Sequence, residues 1–185
     1  MMYYYLCSSL PSLAFGKSAP LTAAEFDALC SESLAPAEYE RLLSCPTLRV
    51  PRDPDASLRL PPVYAAYTRF EQYLRTRIAQ RRTGREEDKA EPLPDPAEYF
   101  GEVDFGLGSA ASADPLEREK LVDRIRWNRL DDLGAGHEFD FDALCVYRLR
   151  LLILDKYRDR RQETGRENFE AAAGRISGAA PVEKN

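Results

Sequence analysis

His137 is the only histidine, and the Glu138 after it is not followed by a second histidine at the spacing a zinc protease needs. A thiol paired with an imidazole can make a nucleophile, and Cys145 with His137 is the candidate pair for a small hydrolase. The plainer expectation is that Cys145 is a core residue and His137 a polar ring in a glycine-flanked turn. Gly16, Lys17 and Ser18 have the ending of a phosphate-binding loop, but Pro11 stands where that motif needs its first glycine. Gly106 and Gly108 lack the third glycine of a dinucleotide site. Cys7, Cys30, Cys45 and Cys145 are widely spaced within or beside apolar runs, which predicts buried free thiols rather than disulfides or a metal site. No catalytic, cofactor-binding or metal-binding residues are expected.

The arginines carry the more informative chemistry. Arg75, Arg77, Arg81, Arg82 and Arg85 gather toward one helix end, and Arg158, Arg160, Arg161 and Arg166 toward another. Two readings stay open. They complement helix C-terminal dipoles and pair with acids three or four residues away, or they meet an acidic protein surface or, less readily, phosphates. Arg148 and Arg150 are a separate case, because flanking apolar residues imply covered stems. Each then needs a carboxylate or carbonyl partner inside the domain or across an interface, since an unpaired buried charge is costly. The candidate interface set is Arg69, Arg75, Arg77, Arg81, Arg82, Arg148 and Arg150.

The element that must hold these groups in place is the stretch 139–170. Leu144, Val146, Tyr147, Leu149, Leu151, Leu152, Ile153, Leu154 and Tyr157 put apolar groups on nearly every side of a helix, so other helices must cover it. Arg148, Arg150, Asp155 and Lys156 interrupt it well before the roughly 18 uncharged residues a membrane span requires.

Earlier in the chain, Tyr3 to Leu6 is an aromatic run that reads either as a short strand or as the first turn of a helix. Thr22 and Glu25 have capping-box spacing ahead of a helix starting near Ala23, and Pro36 opens another carrying Tyr39, Leu42 and Leu43. The proline-rich stretch 45–62 should run extended or looped, with a strand candidate at 47–50. Val63, Tyr67, Phe70, Leu74 and Ile78 form one covered stripe of a long helix over 63–82, with Arg69, Glu71, Arg75, Arg77 and Arg81 on the rest. The charged run 85–91 reads as an exposed turn. Asp95, Pro96 and Glu98 predict a short helix, and residues 101–113, rich in Gly, Ala and Ser, a mobile connection. Asp114, Pro115 and Glu117 start a helix that reaches about Leu133, stopped by Gly134 and Gly136, and Gly165 is expected to interrupt the central helix.

The expected fold is all-α, with helical hairpins around a buried C-terminal helix. It occupies residues 1–170 as one domain, with candidate lobes 1–90 and 91–170 and a flexible tail at 171–185. FDALC occurs at 26–30 and again at 141–145, and RRTGRE at 81–86 is echoed by RRQETGRE at 160–167. Duplicated hairpins and coincidence both explain such echoes. Lys and Arg total 26 against 31 Asp and Glu, a net charge of −5, which argues against a dedicated nucleic-acid binder. The N-terminus has no basic region ahead of its apolar run, so neither a signal peptide nor an anchor is expected, and the location expected is cytoplasmic.

The motifs YYYL-x-x-SLP at 3–11, DPLE-x-EK at 114–120 and FD-x-D-x-L-x-x-Y-x-LRL-x-IL at 139–154 resemble an uncharacterised bacterial family encoded among the subunits of V/A-type ATP synthases. More distantly, 139–150 looks like helical hairpins of the rotor component named C in such enzymes and d in eukaryotes, a helical socket joining the central shaft to the membrane rotor ring. The chain is roughly half that socket's usual length. The resemblance implies a noncatalytic component without cofactor, with protein subunits of the complex as partners and the membrane reached only through them. A free-standing adaptor or regulator that binds a soluble acidic protein through the basic helix is the alternative.

Overall fold

The computed structural model describes residues 2–44, 60–83, 96–110 and 113–158. These residues are mostly helical: α1 (Met2–Ser9), α2 (Ala23–Ser33), α3 (Pro36–Leu43), α4 (Pro62–Thr83), α5 (Pro96–Ala110), α6 (Pro115–Gly134) and α7 (Phe141–Arg158). Among the described residues there is no strand. The helix starts follow local capping chemistry. Thr22 Oγ1 accepts from the Glu25 amide at 3.1 Å while Glu25 Oε2 accepts from the Thr22 amide at 2.7 Å. Asp114 accepts from the Leu116 and Glu117 amides at 2.9 and 3.0 Å, with Pro115 filling the first helical position.

Helix α7 is the sheathed element. Leu144, Cys145, Val146, Arg148, Leu149, Leu151, Ile153 and Leu154 are all buried, and α1, α2, α4 and α6 pack around it. Each fully buried aliphatic side chain contributes roughly 1.5–3 kcal/mol, so this helix carries a large part of the burial free energy. On the far side of α4, Tyr99 of α5 sits edge-on to Phe70 at 5.7 Å and tilted on Tyr73 at 5.5 Å. These rings extend the core outward to α5.

The structure takes one of two alternatives that the sequence left open and differs from the sequence reading in two places. The run at Tyr3 to Leu6 is helical: Leu6 is buried, Tyr3 stands edge-on to Phe141 at 6.2 Å, and its hydroxyl hydrogen-bonds Glu38. Residues 101–110 are not a connection but the continuation of α5. Tyr99, Val103 and Leu107 recur every four residues and are buried, which outweighs the roughly 1 kcal/mol that each glycine costs a helix. Gly106 lets α5 approach α6 closely, because a Cβ on it would lie 2.6 Å from Ile125 Cδ1. Glu71 is not on an exposed face; it is only 2% accessible.

The FDALC echo does not mark equivalent positions. Phe26 lies inside α2 and is buried, whereas Phe141 opens α7 and is partly covered; Leu29 is exposed but Leu144 is fully buried. The strand candidate at 47–50, the charged run 85–91, Gly165, most of the second echo and the tail lie outside the described residues. Among the described residues, no helix is long and apolar enough to cross a membrane.

Candidate functional site

Cys145 does not line the cleft that His137 borders. Asp140 caps α7, its Oδ1 accepting from the Ala143 amide at 2.9 Å, and its Oδ2 lies 2.6 Å from His137 Nδ1. This hydrogen bond raises the His137 pKa, burial opposing and the charge of Asp140 adding to it. His137 borders a cleft of about 410 Å3 that is also lined by Cys7, Tyr147 and Arg150. Cys145 is absent from that lining and fully buried. The thiol that does reach the cleft is Cys7, and burial, then the charge of Asp140, push its pKa up rather than down. A nucleophilic cysteine needs the opposite shift. Among the described residues no group of His, Cys, Asp and Glu could hold a metal ion.

The arginines singled out from the sequence fall into two groups. Arg148, whose side chain is 9% accessible, holds Asp27 of α2 in a fork, Nε to Oδ1 at 2.7 Å and a terminal nitrogen to Oδ2 at 2.9 Å. Arg150 donates to Asp131 at 2.5 Å and lies over the Trp127 ring at 5.4 Å. Both therefore find partners inside the domain. Arg75 pairs with Glu71 at 2.7 Å, while Arg77 and Arg81 share Asp104 of α5 at 2.5 and 3.5 Å. Arg69 and Arg82 are exposed and make no ion pair among the described residues. Most of the expected interface set thus braces helix against helix.

Sequence reasoning missed the centre of this bracing. Glu71 of α4 accepts from Arg126 of α6 twice, Nε to Oε2 at 2.9 Å and a terminal nitrogen to Oε1 at 2.8 Å. The third nitrogen of Arg126 donates to Asp123 Oδ1 at 2.7 Å. Asp123, with a side chain 0% accessible, also accepts through Oδ2 from Lys156 at 2.6 Å and from the Tyr157 hydroxyl at 2.5 Å, both on α7. Lys156 reaches Glu119 at 3.4 Å. Burial works against the charge of Arg126, but the hydrogen bonds and charge of Glu71, with that of Asp123, outweigh it and raise its pKa. The signal was present in the sequence. Tyr67, Glu71, Leu74 and Ile78 share one helical stripe, as do Asp123, Trp127 and Leu130, so both acids stand at positions where periodicity predicts burial.

Above this network opens a cleft of about 590 Å3 between the end of α4, α5 and the first turns of α6. Ile78, Leu107 and Val122 give it an apolar lining, and Arg81, Arg82, Arg118, Arg126 and Lys156 surround it with cations. Glu119 is the carboxylate among the described residues that line it.

Residues 72–178 match the family model described as Protein of unknown function (DUF2764). That span takes in the bracing residues of α6 and α7 and the second half of α4. No curated protein and no solved structure matches the chain.

Proposed function

We propose that this chain, which belongs to the DUF2764 family of proteins of unknown function, is a noncatalytic helical component of a bacterial V/A-type ATP synthase. Its role would be that of a socket-like coupling piece between the central shaft and the membrane rotor ring, held at the cytoplasmic face through its partners. The motifs at 3–11, 114–120 and 139–154 motivate the assignment to that complex. The observation that carries a mechanical role is the cross-bracing of α7. Apolar contacts are non-directional and resist sliding poorly, whereas forked ion pairs fix register. Arg148 with Asp27 ties α7 to α2, Lys156 and Tyr157 with Asp123 tie it to α6, and Glu71 with Arg126 ties α6 to α4. A body that transmits torque needs this resistance to shear between helices.

Copurification is the test. A tag on a shaft or ring protein should bring this chain down in stoichiometric yield from membranes of a strain that expresses both. Absence of the chain from the intact, active complex removes the proposal.

A second reading is favoured by the exposed Arg69 and Arg82 and by the cationic cleft: a free-standing adaptor that binds a soluble acidic protein. It predicts a stable monomer or homodimer with no rotor association.

A further inference from the structure

The cleft between α4, α5 and α6 holds its charges in two tiers. At its base, Arg126 and Lys156 are already matched by Glu71, Asp123 and Glu119. Its mouth carries three more arginines. Arg81 must share Asp104 with Arg77, Arg82 makes no ion pair among the described residues, and Arg118 is exposed, with one of its nitrogens donating to the Ala113 carbonyl at 3.2 Å. Cations therefore rim the apolar Ile78, Leu107 and Val122, and Glu119, the carboxylate among the described lining residues, already faces Lys156.

We infer that this cleft docks an acidic, amphipathic segment of a partner protein. One or two apolar side chains of that segment rest on Ile78, Leu107 and Val122, and its carboxylates meet Arg81, Arg82 and Arg118. A compact anion such as phosphate calls for donors that converge on one point with their hydrogen bonds unspent. Here the deepest cations have theirs spent on buried carboxylates, and the remaining ones are spread around an apolar centre. A segment with an apolar ridge and acidic flanks matches that layout, in the manner of acidic motifs read by arginine clusters. The volume of about 590 Å3 falls within the roughly 300–1,000 Å3 of ordinary ligand pockets, enough for a few side chains. Exposed rim charges act mainly on association rate and specificity, so binding should weaken steeply with salt. Docking here does not depend on the ATP synthase reading: a chain that fails to copurify with that complex still has this cleft.

The probe is a fluorescein-labelled helical peptide with leucines on one face and glutamates flanking them, titrated with the full chain and followed by fluorescence anisotropy. Saturable binding is expected. Arg82→Glu with Arg118→Glu should raise Kd by on the order of tenfold, and Arg82→Glu alone, at an exposed side chain with no ion pair among the described residues, should weaken binding with the thermal midpoint unchanged. Arg69→Glu, on α4 but outside the cleft, should leave Kd within about twofold. Replacing the peptide's leucines by serines should weaken binding by a further tenfold or more, on the order of the loss of one buried aliphatic side chain. Docking is ruled out if binding does not saturate, or if Arg69→Glu weakens it as much as the rim pair does. It also fails if the serine peptide binds equally well, or if inorganic phosphate at matched ionic strength displaces the probe.

Discussion

Asp27→Asn removes the charge facing Arg148 while keeping the side chain's size, and its cost can be worked from the geometry. Two charge-assisted hydrogen bonds, at 2.7 and 2.9 Å, become at best one neutral one. The guanidinium, 9% accessible, then loses the carboxylate it holds between α7 and α2. Breaking a buried pair from one side costs about 3–5 kcal/mol. Asp27 is itself 19% accessible, so water partly replaces it and the expected loss falls at the lower end, about 3 kcal/mol. Arg148→Met leaves a carboxylate that reaches water and should cost less, about 1–2 kcal/mol. The double variant strands neither charge, so the cycle should show a coupling of about 2 kcal/mol. Urea unfolding followed by far-ultraviolet circular dichroism, with unchanged m-values, measures all three. In a chain of this length the Asp27→Asn loss corresponds to a fall in Tm of about 6–12 °C. Glu117→Gln is the control: it breaks a pair whose side chains are 51% and 44% accessible and should cost no more than about 0.5 kcal/mol. If Asp27→Asn costs as little as that control, or if the singles simply add, the pair does not brace α2 to α7 and the mechanical reading loses its footing.

Gly106→Ala should destabilise by about 1–2 kcal/mol, the crowding of Ile125 exceeding the gain in helix propensity, and Ile125→Val should recover part of the loss by removing the Cδ1 that the new methyl meets. Denaturant midpoints of the two singles and the double check this. His137, as the only histidine, gives a clean nuclear magnetic resonance titration. Its pKa should lie above the ordinary histidine value and fall back toward it in Asp140→Asn. A raised folded-state pKa stabilises fully below the unfolded value of about 6.5, and that contribution is lost as pH rises through the folded value. The contribution should be small, since both side chains are more than a third exposed or close to it, at 49% for Asp140 and 35% for His137.

Much of the helical framework was legible because its signals are local. The Thr22–Glu25 capping box and the Asp114 cap act within a single turn. The apolar run of α7 declared its own burial. The glycine-rich stretch after Tyr99 misled because composition was weighed over period: Tyr99, Val103 and Leu107 already had helical spacing. The arginine-rich end of α4 was visible as a cluster, and Arg75 pairs with an acid four residues away as the spacing predicts, but the division between bracing Arg77 and Arg81 and the outward Arg82 was not legible. Asp104, which makes that division, belongs to a helix the sequence did not predict at that position.

By itself the sequence determined that Arg148 and Arg150 need partners, since a charge flanked by apolar residues on a covered helix cannot go unmatched. Only the tertiary structure decided that Arg148 takes Asp27, 121 residues away, and that Asp123 gathers Arg126, Lys156 and Tyr157 into one buried network. The physical reason is range. Caps and periodicity are set by interactions within about four residues, whereas a pairing between helices depends on how each is rotated and placed against the next. The cleft over that network is lined from four helices at once, with Lys156 of α7 at its base, and no one of them carries its shape.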